Sequence, residues 1–360
     1  MPRAYKIITI IVVVVAVLAA AAVIFQRPIL TAIANKAVKD AFTRQSTELE
    51  DGLYAGICGS GGPFPDINRV ESCVAVLAGD HLYIVDAGAG SARNAALMGL
   101  RTGKIEAILL THFHSDHIAD LGEFMLQRWS TGSSSEPLDV IGPTGVENVV
   151  EGFNRAYELD AGYRIAHHGP ETVPPSGAGG RAKVFTLSAE HDAAAVIVEK
   201  DGLKVTAFKV NHEPVSPAVG YRFDYKGRSL VISGDTAPCA SLLRYAAGAD
   251  VLLHDALQPA LVKMIHDLAV YSPTPSLAKI TADIPGYHSS PEEAARAASS
   301  ANVKQLVLYH IVPPLPPVLN GMFLGDSSKF YSGPITVGED GMLISLPANS
   351  DKIYFRNILK

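Results

Sequence analysis

Thr111-His112-Phe113-His114-Ser115-Asp116-His117 follows directly on Ala107-Ile108-Leu109-Leu110, so a short apolar run of strand type ends on three imidazoles and a carboxylate crowded together. Four such groups cannot all face one cation. A tight loop leaving a strand can send His112 and His114 to one ion and Asp116 and His117 to a neighbouring one.

The same arrangement recurs on both sides of this run. His81–Val85 leads into Asp86, Val205–Val210 into Asn211 and His212, and Ser229–Ile232 into Ser233, Gly234 and Asp235. Val251–Leu253 leads into His254 and Asp255, and Gln305–Leu308 into Tyr309 and His310. Strands lying side by side would bring these ends to one rim, where α/β sheets bind their ligands. A strand end that only filled a core would carry Val or Ile, because burying an imidazole or carboxylate is costly. Convergence on metal is the economical account. From Leu53 onward short β-branched runs alternate with Ala-rich helical stretches, which predicts an α/β sandwich.

Composition narrows the chemistry. The 360 residues hold 12 His but 3 Cys, so metal ligands should be imidazole and carboxylate, not thiolate. Thirty Lys and Arg against 36 Asp and Glu give a net charge of −6, which lacks the basic excess of a nucleic-acid binder. Cys58 and Cys73 fall on two successive predicted strands. They read either as a pair formed in an oxidising compartment, leaving Cys239 free, or as two small buried residues.

Arg3 and Lys6 precede Ile7–Phe25, which carries no charge and as a helix spans about 28 Å, nearly a bilayer core. A cleaved signal peptide is the competing reading, with Ala20, Ala21 and Ala22 at the cleavage site. The apolar run continues through Val23, Ile24 and Phe25, beyond the usual ~7 to 15 residues of a signal core, which favours an uncleaved anchor. Both readings take the rest of the chain out of the cytoplasm. Arg27, Lys36 and Lys39 beyond the run blunt the charge asymmetry, and the expected topology is N-terminus inside, catalytic domain on the periplasmic side. The expected organisation is 1–30 anchor or signal, 31–50 a polar, partly helical stalk, and 51–360 the folded domain.

Thr111–His117, His212, Ser233-Gly234-Asp235-Thr236 and His310 together resemble the metallo-β-lactamase superfamily in its ribonuclease Z and arylsulfatase-like branch. The resemblance covers roughly Leu53 to Pro347 and implies an αββα sandwich. It further implies that one metal takes His112, His114 and His212, a second takes Asp116, His117 and His310, and Asp235 bridges them. Asp86 matches an aspartate that supports the site from behind the ligands. Gly59–Pro65 resembles the family's Gly-rich opening loop, Leu253-His254-Asp255-Ala256 its His-Glu-Ala segment, and His288-Ser289-Ser290 its later histidine segment. Cys58 stands where Thr is usual, and Asp255 where Glu is usual.

Two divalent ions with nitrogen and oxygen ligands suit zinc best, with iron or manganese fitting the same set. The expected chemistry is hydrolysis by a metal-bridging hydroxide, with Asp116 orienting the water or accepting its proton. His254 and His288 are candidate proton donors to the leaving group, and Asp255 would tune one of them. His266, Tyr271 and Tyr287, in the insert between His254 and His288, read as core or lid packing, and Pro313–Pro317 with Phe323 as a stiff wall. Bacterial ribonucleases Z carry a transfer-RNA-gripping arm between the His212-like ligand and the bridging Asp. Glu213–Gly234 leaves no room for one. With the acidic balance and the anchor, this points to a small ester, an aryl or alkyl sulfate first, and to no nucleic-acid partner. Phosphodiester (ribonuclease Z-like) or lactone hydrolysis is the alternative, β-lactam hydrolysis ranks below, and a metal-binding protein without turnover is the other class.

Overall fold

Strand β1 (Gly52–Gly59) is buried at every position, and β2 (Cys73–Ala78) and β3 (His81–Val85) nearly so. Such continuous apolar runs form strands covered on both faces. The computed structural model describes residues 3–43, 49–190, 192–271 and 275–359. With β4 (Ile105–Leu109), β5 (Leu138–Pro143), β6 (Gly180–Phe185), β14 (Met342–Pro347) and β15 (Tyr354–Asn357), the first sheet runs β15-β14-β1-β2-β3-β4-β5-β6. The second is built from β7 (Ala194–Lys200), β8 (Leu203–Lys209), β9 (Val219–Tyr225), β10 (Arg228–Ile232), β11 (Val251–Leu257), β12 (Gln305–Val312) and β13 (Ile335–Val337), in the order β13-β12-β11-β10-β9-β8-β7.

The inner faces meet in one core that includes Leu53, Ile57, Leu109, Tyr221, Phe223, Leu253 and Val307. Helices close the outer faces. α2 (Ser91–Leu97), α4 (Leu121–Gly132) and α5 (Val146–His168) cover the first sheet, with Phe124 over Ile84, Ile108 and Val140. α6 (Ala240–Ala246) and α9 (Pro291–Ser300) cover the second, where Ala294, Ala295 and Ala298 let the helix lie close on Leu252 and Leu306. A reciprocal cap between Ser290 and Glu293 starts α9. This is the expected αββα sandwich.

Cys58 and Cys73 are joined across β1 and β2, with Cα atoms 5.1 Å apart, and Cys239 is free. Contacts divide the chain into Met1–Glu48 and Leu49–Lys360. The first unit contains α1 (Arg3–Thr43), helical through Pro28 and into the expected stalk, whose residues 44–48 lie outside those described. Its segment Tyr5–Val23, with mean hydropathy 2.9, is long and apolar enough to cross a bilayer.

Candidate metal centre

Two strands differ from the expectation that they stop at their polar residues. β11 continues through His254 and Asp255 to Leu257, and β12 continues through His310 to Val312. The reason is a bulge: Tyr309 pairs with Asp255 and Ile311 with Ala256, so His310 is the extra residue, with φ at +50°. The strand keeps its ladder while one imidazole turns aside.

On the first sheet, Asp86 follows β3 with φ at +60°. Its Oδ1 accepts the Thr111 N–H at 2.8 Å, and its Oδ2 accepts from Thr111 Oγ1 at 2.9 Å and from His117 Nδ1 at 2.8 Å. Because Thr111 donates its hydroxyl proton to Asp86, its oxygen accepts from His112 Nδ1 at 3.0 Å. Both rings therefore spend Nδ1 on this brace and turn Nε2 toward the cluster. His112 Nε2 lies 3.0 Å from His114 Nδ1. Asp116 and His117 sit on the one-turn helix α3 (Ser115–Ile118) rather than in an open loop.

On the second sheet, His212 donates Nδ1–H to the Tyr287 carbonyl at 2.9 Å, leaving Nε2 bare. Gly234, at φ +62°, swings Asp235 inward, and a Cβ there would fall 2.6 Å from the Val219 carbonyl. Asp235 Oδ2 then lies 3.3 Å from the Nε2 atoms of both His117 and His310, 3.9 Å from that of His112 and 4.0 Å from that of His212. His310 Nε2 is also 3.1 Å from Asp116 Oδ2. The two sheets are tied beside this point by Tyr221 Oη donating to the Leu110 carbonyl and the Val219 N–H donating to that of Thr111.

Ligand-type atoms thus gather into three overlapping groups: His112, His114, His212 and Asp235; Asp116, His117 and His310; and Asp235, His288 and His310. Every residue expected to hold metal is present in them. Within the cluster, His117 Nε2, His212 Nε2 and Asp235 Oδ1 are buried without a hydrogen-bond partner. Five imidazoles and two carboxylates that converge here, some of their atoms buried without a partner, fit divalent cations.

The charge distribution agrees. Burial, reinforced by neighbouring imidazoles, pushes His112 well below the usual histidine range, and burial lowers His114 and His212 as well, so these three are neutral donors. Burial opposes ionisation of the other groups but loses. Asp235 and Asp116 raise His117 and His310, while those imidazoles hold Asp116 down to about 2 and Asp235 well below the carboxylate range. The carboxylates draw positive charge to this spot, which divalent cations would supply.

Asp255 is buried between the two candidate proton donors. Its Oδ2 accepts from His288 Nδ1 at 3.0 Å, and its Oδ1 lies 3.0 Å from His254 Nδ1. His288 joins the cluster, its ring 5.2 Å from that of His212 and 5.3 Å from that of His310. His254 reaches the cluster through Asp255. His167 and His168 lie at the exposed end of α5, Trp129 is buried and donates to the Pro174 carbonyl, and His191 lies outside the described residues. Sequence reasoning missed the Tyr287 carbonyl on His212. It also missed the brace under the glycine loop, in which Asp340 accepts from Ser60, Val70 and Asn94 while Arg69 donates to Ser60. That loop lays Gly62 against His310.

A family model described as a β-lactamase superfamily domain matches residues 81–311. The chain belongs to the β-lactamase superfamily. This superfamily member is a metal-dependent hydrolase. It is 37% identical over 290 residues to a ribonuclease Z of Mycobacterium bovis (strain BCG / Pasteur 1173P2), covering 80% of this chain and 96% of the relative. It is 34% identical over 296 residues to one of Mycobacterium avium (strain 104), covering 82% and 98%. Human tRNase Z, short form, has the same fold at a TM-score of 0.58 with 22% identity, covering 82% of this chain and 99% of the other.

These relatives overturn the expected aryl or alkyl sulfate, and with it the small ester as sole partner and the exclusion of nucleic acid. They are ribonucleases matched over nearly their whole length. The net charge of −6 misled because it sums the whole surface, whereas cations held at the cluster would meet a phosphodiester locally.

Proposed function

We propose that this chain hydrolyses phosphodiester bonds in RNA as a ribonuclease Z-like enzyme with two divalent cations, zinc favoured. The single observation behind it is the convergence of five imidazoles and Asp116 around Asp235, with His117 Nε2 and His212 Nε2 buried and unpartnered, in a chain whose relatives are ribonucleases Z. His112, His114 and His212 would hold one cation and Asp116, His117 and His310 the other, with Asp235 shared. Cations there would supply charge neutralisation at the phosphoryl oxygens and a source of nucleophilic water near neutral pH. Asp86, Thr111 and the Tyr287 carbonyl fix which ring nitrogens face inward. Asp116 orients the attacking water, and His288, held at Nδ1 by Asp255, gives a proton to the leaving alcohol oxygen.

The test is cleavage of a 3′-extended transfer RNA and of bis-nitrophenyl phosphate by full-length protein, with EDTA treatment and His114→Ala as controls. Loss of cleavage in both controls is expected. RNA cleavage that survives in either control would refute the proposal. Placement is proposed separately: α1 anchors the chain with its catalytic unit outside the cytoplasm. The apolar span and the Cys58–Cys73 disulfide, a bond suited to oxidising compartments, support this. Protease added to spheroplasts should then degrade the catalytic unit, and its survival until the membrane is lysed would refute this placement.

A further inference from the structure

We infer that the ring of Tyr287 is the stacking platform for a base next to the scissile phosphate. This rests on the RNA reading above. The ring packs edge-on to His212 with centroids 5.2 Å apart and lies 5.0 Å from His288, so it borders both a proposed ligand and the proposed proton donor. It is half-buried, with the rest of its surface open to solvent.

Its backing is stiff. Tyr287 closes a 3-10 turn (Ile284–Gly286), and its ring packs on a small apolar cluster of Leu257, Val262, Ile284 and Val312. A rigid, partly exposed aromatic beside a phosphodiester site is what an unstacked base needs. In the neighbouring helices α7 (Pro259–Ala269) and α8 (Pro275–Asp283), Lys263 is paired with Asp267 and Lys279 with Asp283. The interval Glu213–Gly234 is filled by β9 and β10. Stacking is sequence-tolerant, because every base has a π face. Tyr287 is therefore a specificity residue for single-stranded RNA over base-free phosphodiesters, and its backbone carbonyl separately positions His212.

That division of roles makes the side chain testable alone, since substitution leaves the carbonyl in place. Full-length protein, Tyr287→Leu and Tyr287→Phe are compared on one RNA and on its twin abasic at the nucleotides flanking the cleavage point. Metal content is measured for all three. Tyr287→Leu keeps apolar bulk against the cluster but has no π face, and should raise KM on the base-bearing RNA roughly ten- to hundredfold. On the abasic RNA the two proteins should differ by less than about twofold, and Tyr287→Phe should behave as the parent on both. With 2-aminopurine at the flanking position, the parent and Tyr287→Phe should quench its fluorescence on rapid mixing before cleavage, and Tyr287→Leu should not. Equal losses on both RNAs, or unchanged quenching in Tyr287→Leu, would overturn the inference alone. If the parent cleaves no RNA, the ribonuclease reading falls and takes this inference with it.

Discussion

Asp86→Asn tests whether the cluster depends on which nitrogen of His117 carries the proton. Asn accepts φ near +60° almost as readily as Asp, so the change adds no backbone strain. The Thr111 N–H, 2.8 Å from Oδ1, requires an oxygen and fixes the amide's orientation. The amide NH2 then faces His117 Nδ1, where a carboxylate oxygen accepted at 2.8 Å. Nδ1 must become the acceptor, the ring proton moves to Nε2, and the lone pair aimed at the Asp116–His117–His310 group is lost. Partners that orient a metal-binding His are worth about 10- to 100-fold in metal affinity or activity. A reversed tautomer places Asp86→Asn near the upper figure, about 100-fold at this group, with the His112–His114–His212 group retaining most of its affinity. The measurement is calorimetric titration of metal-free protein with zinc, alongside metal content after dialysis. Thermal unfolding of the metal-free forms is the control. Weakening the charge-assisted bonds to Thr111 costs about 1–2 kcal/mol, a few degrees in Tm. Two sites titrating at parental affinity would refute the reasoning, as would selective loss at the His112 group.

Three further outcomes are expected. Replacing both Cys58 and Cys73 by Ser opens a loop with a sequence separation of 15 and should cost about 3 kcal/mol; a Tm equal to the parent's under non-oxidising and oxidising conditions alike would sink this. Gly62→Ala places a Cβ 2.9 Å from His310 Cε1 and 2.8 Å from Val312 Cγ2, so zinc affinity at the His310 group should fall with the circular dichroism unchanged, and parental titration would count against the contact. Burial would raise the Asp250 carboxyl, but hydrogen bonds from Arg228, Lys304 and the Ser229 N–H hold it below the usual range. A depressed carboxylate gives stability present above the unfolded pKa and lost as pH falls through the folded one, so Asp250→Asn should flatten the decline in stability below about pH 4. Urea melts at pH 6 and pH 3 measure it, and an acid-side slope equal to the parent's would contradict the assignment.

The sandwich was legible because its strands are continuous apolar runs, and the ligands because burying His112, His212 or Asp235 at strand ends has no packing rationale. His310 was found as a residue but misplaced as a terminus, since a bulge leaves no mark in a run such as Gln305–Val312. Tyr287 was read as packing, because side-chain type says nothing of a backbone carbonyl's partner. Substrate class was misjudged for a different reason. Net charge reports on the whole surface, whereas the ribonuclease likeness is carried by the pattern of the chain as a whole.

The first sheet sets an order on synthesis. β1 has β2 beside it at once, but its other neighbour is β14, with Gly52 opposite Pro347. At roughly 5–20 residues per second, that partner leaves the ribosome tens of seconds later. Throughout that interval one flank of a fully apolar strand lacks its partner, an invitation to pair with another nascent chain. The final hairpin, β14 with β15, is thus the clasp that ends the exposure, and a message truncated before it would release a product prone to aggregate even with all of its metal-ligand candidates already made.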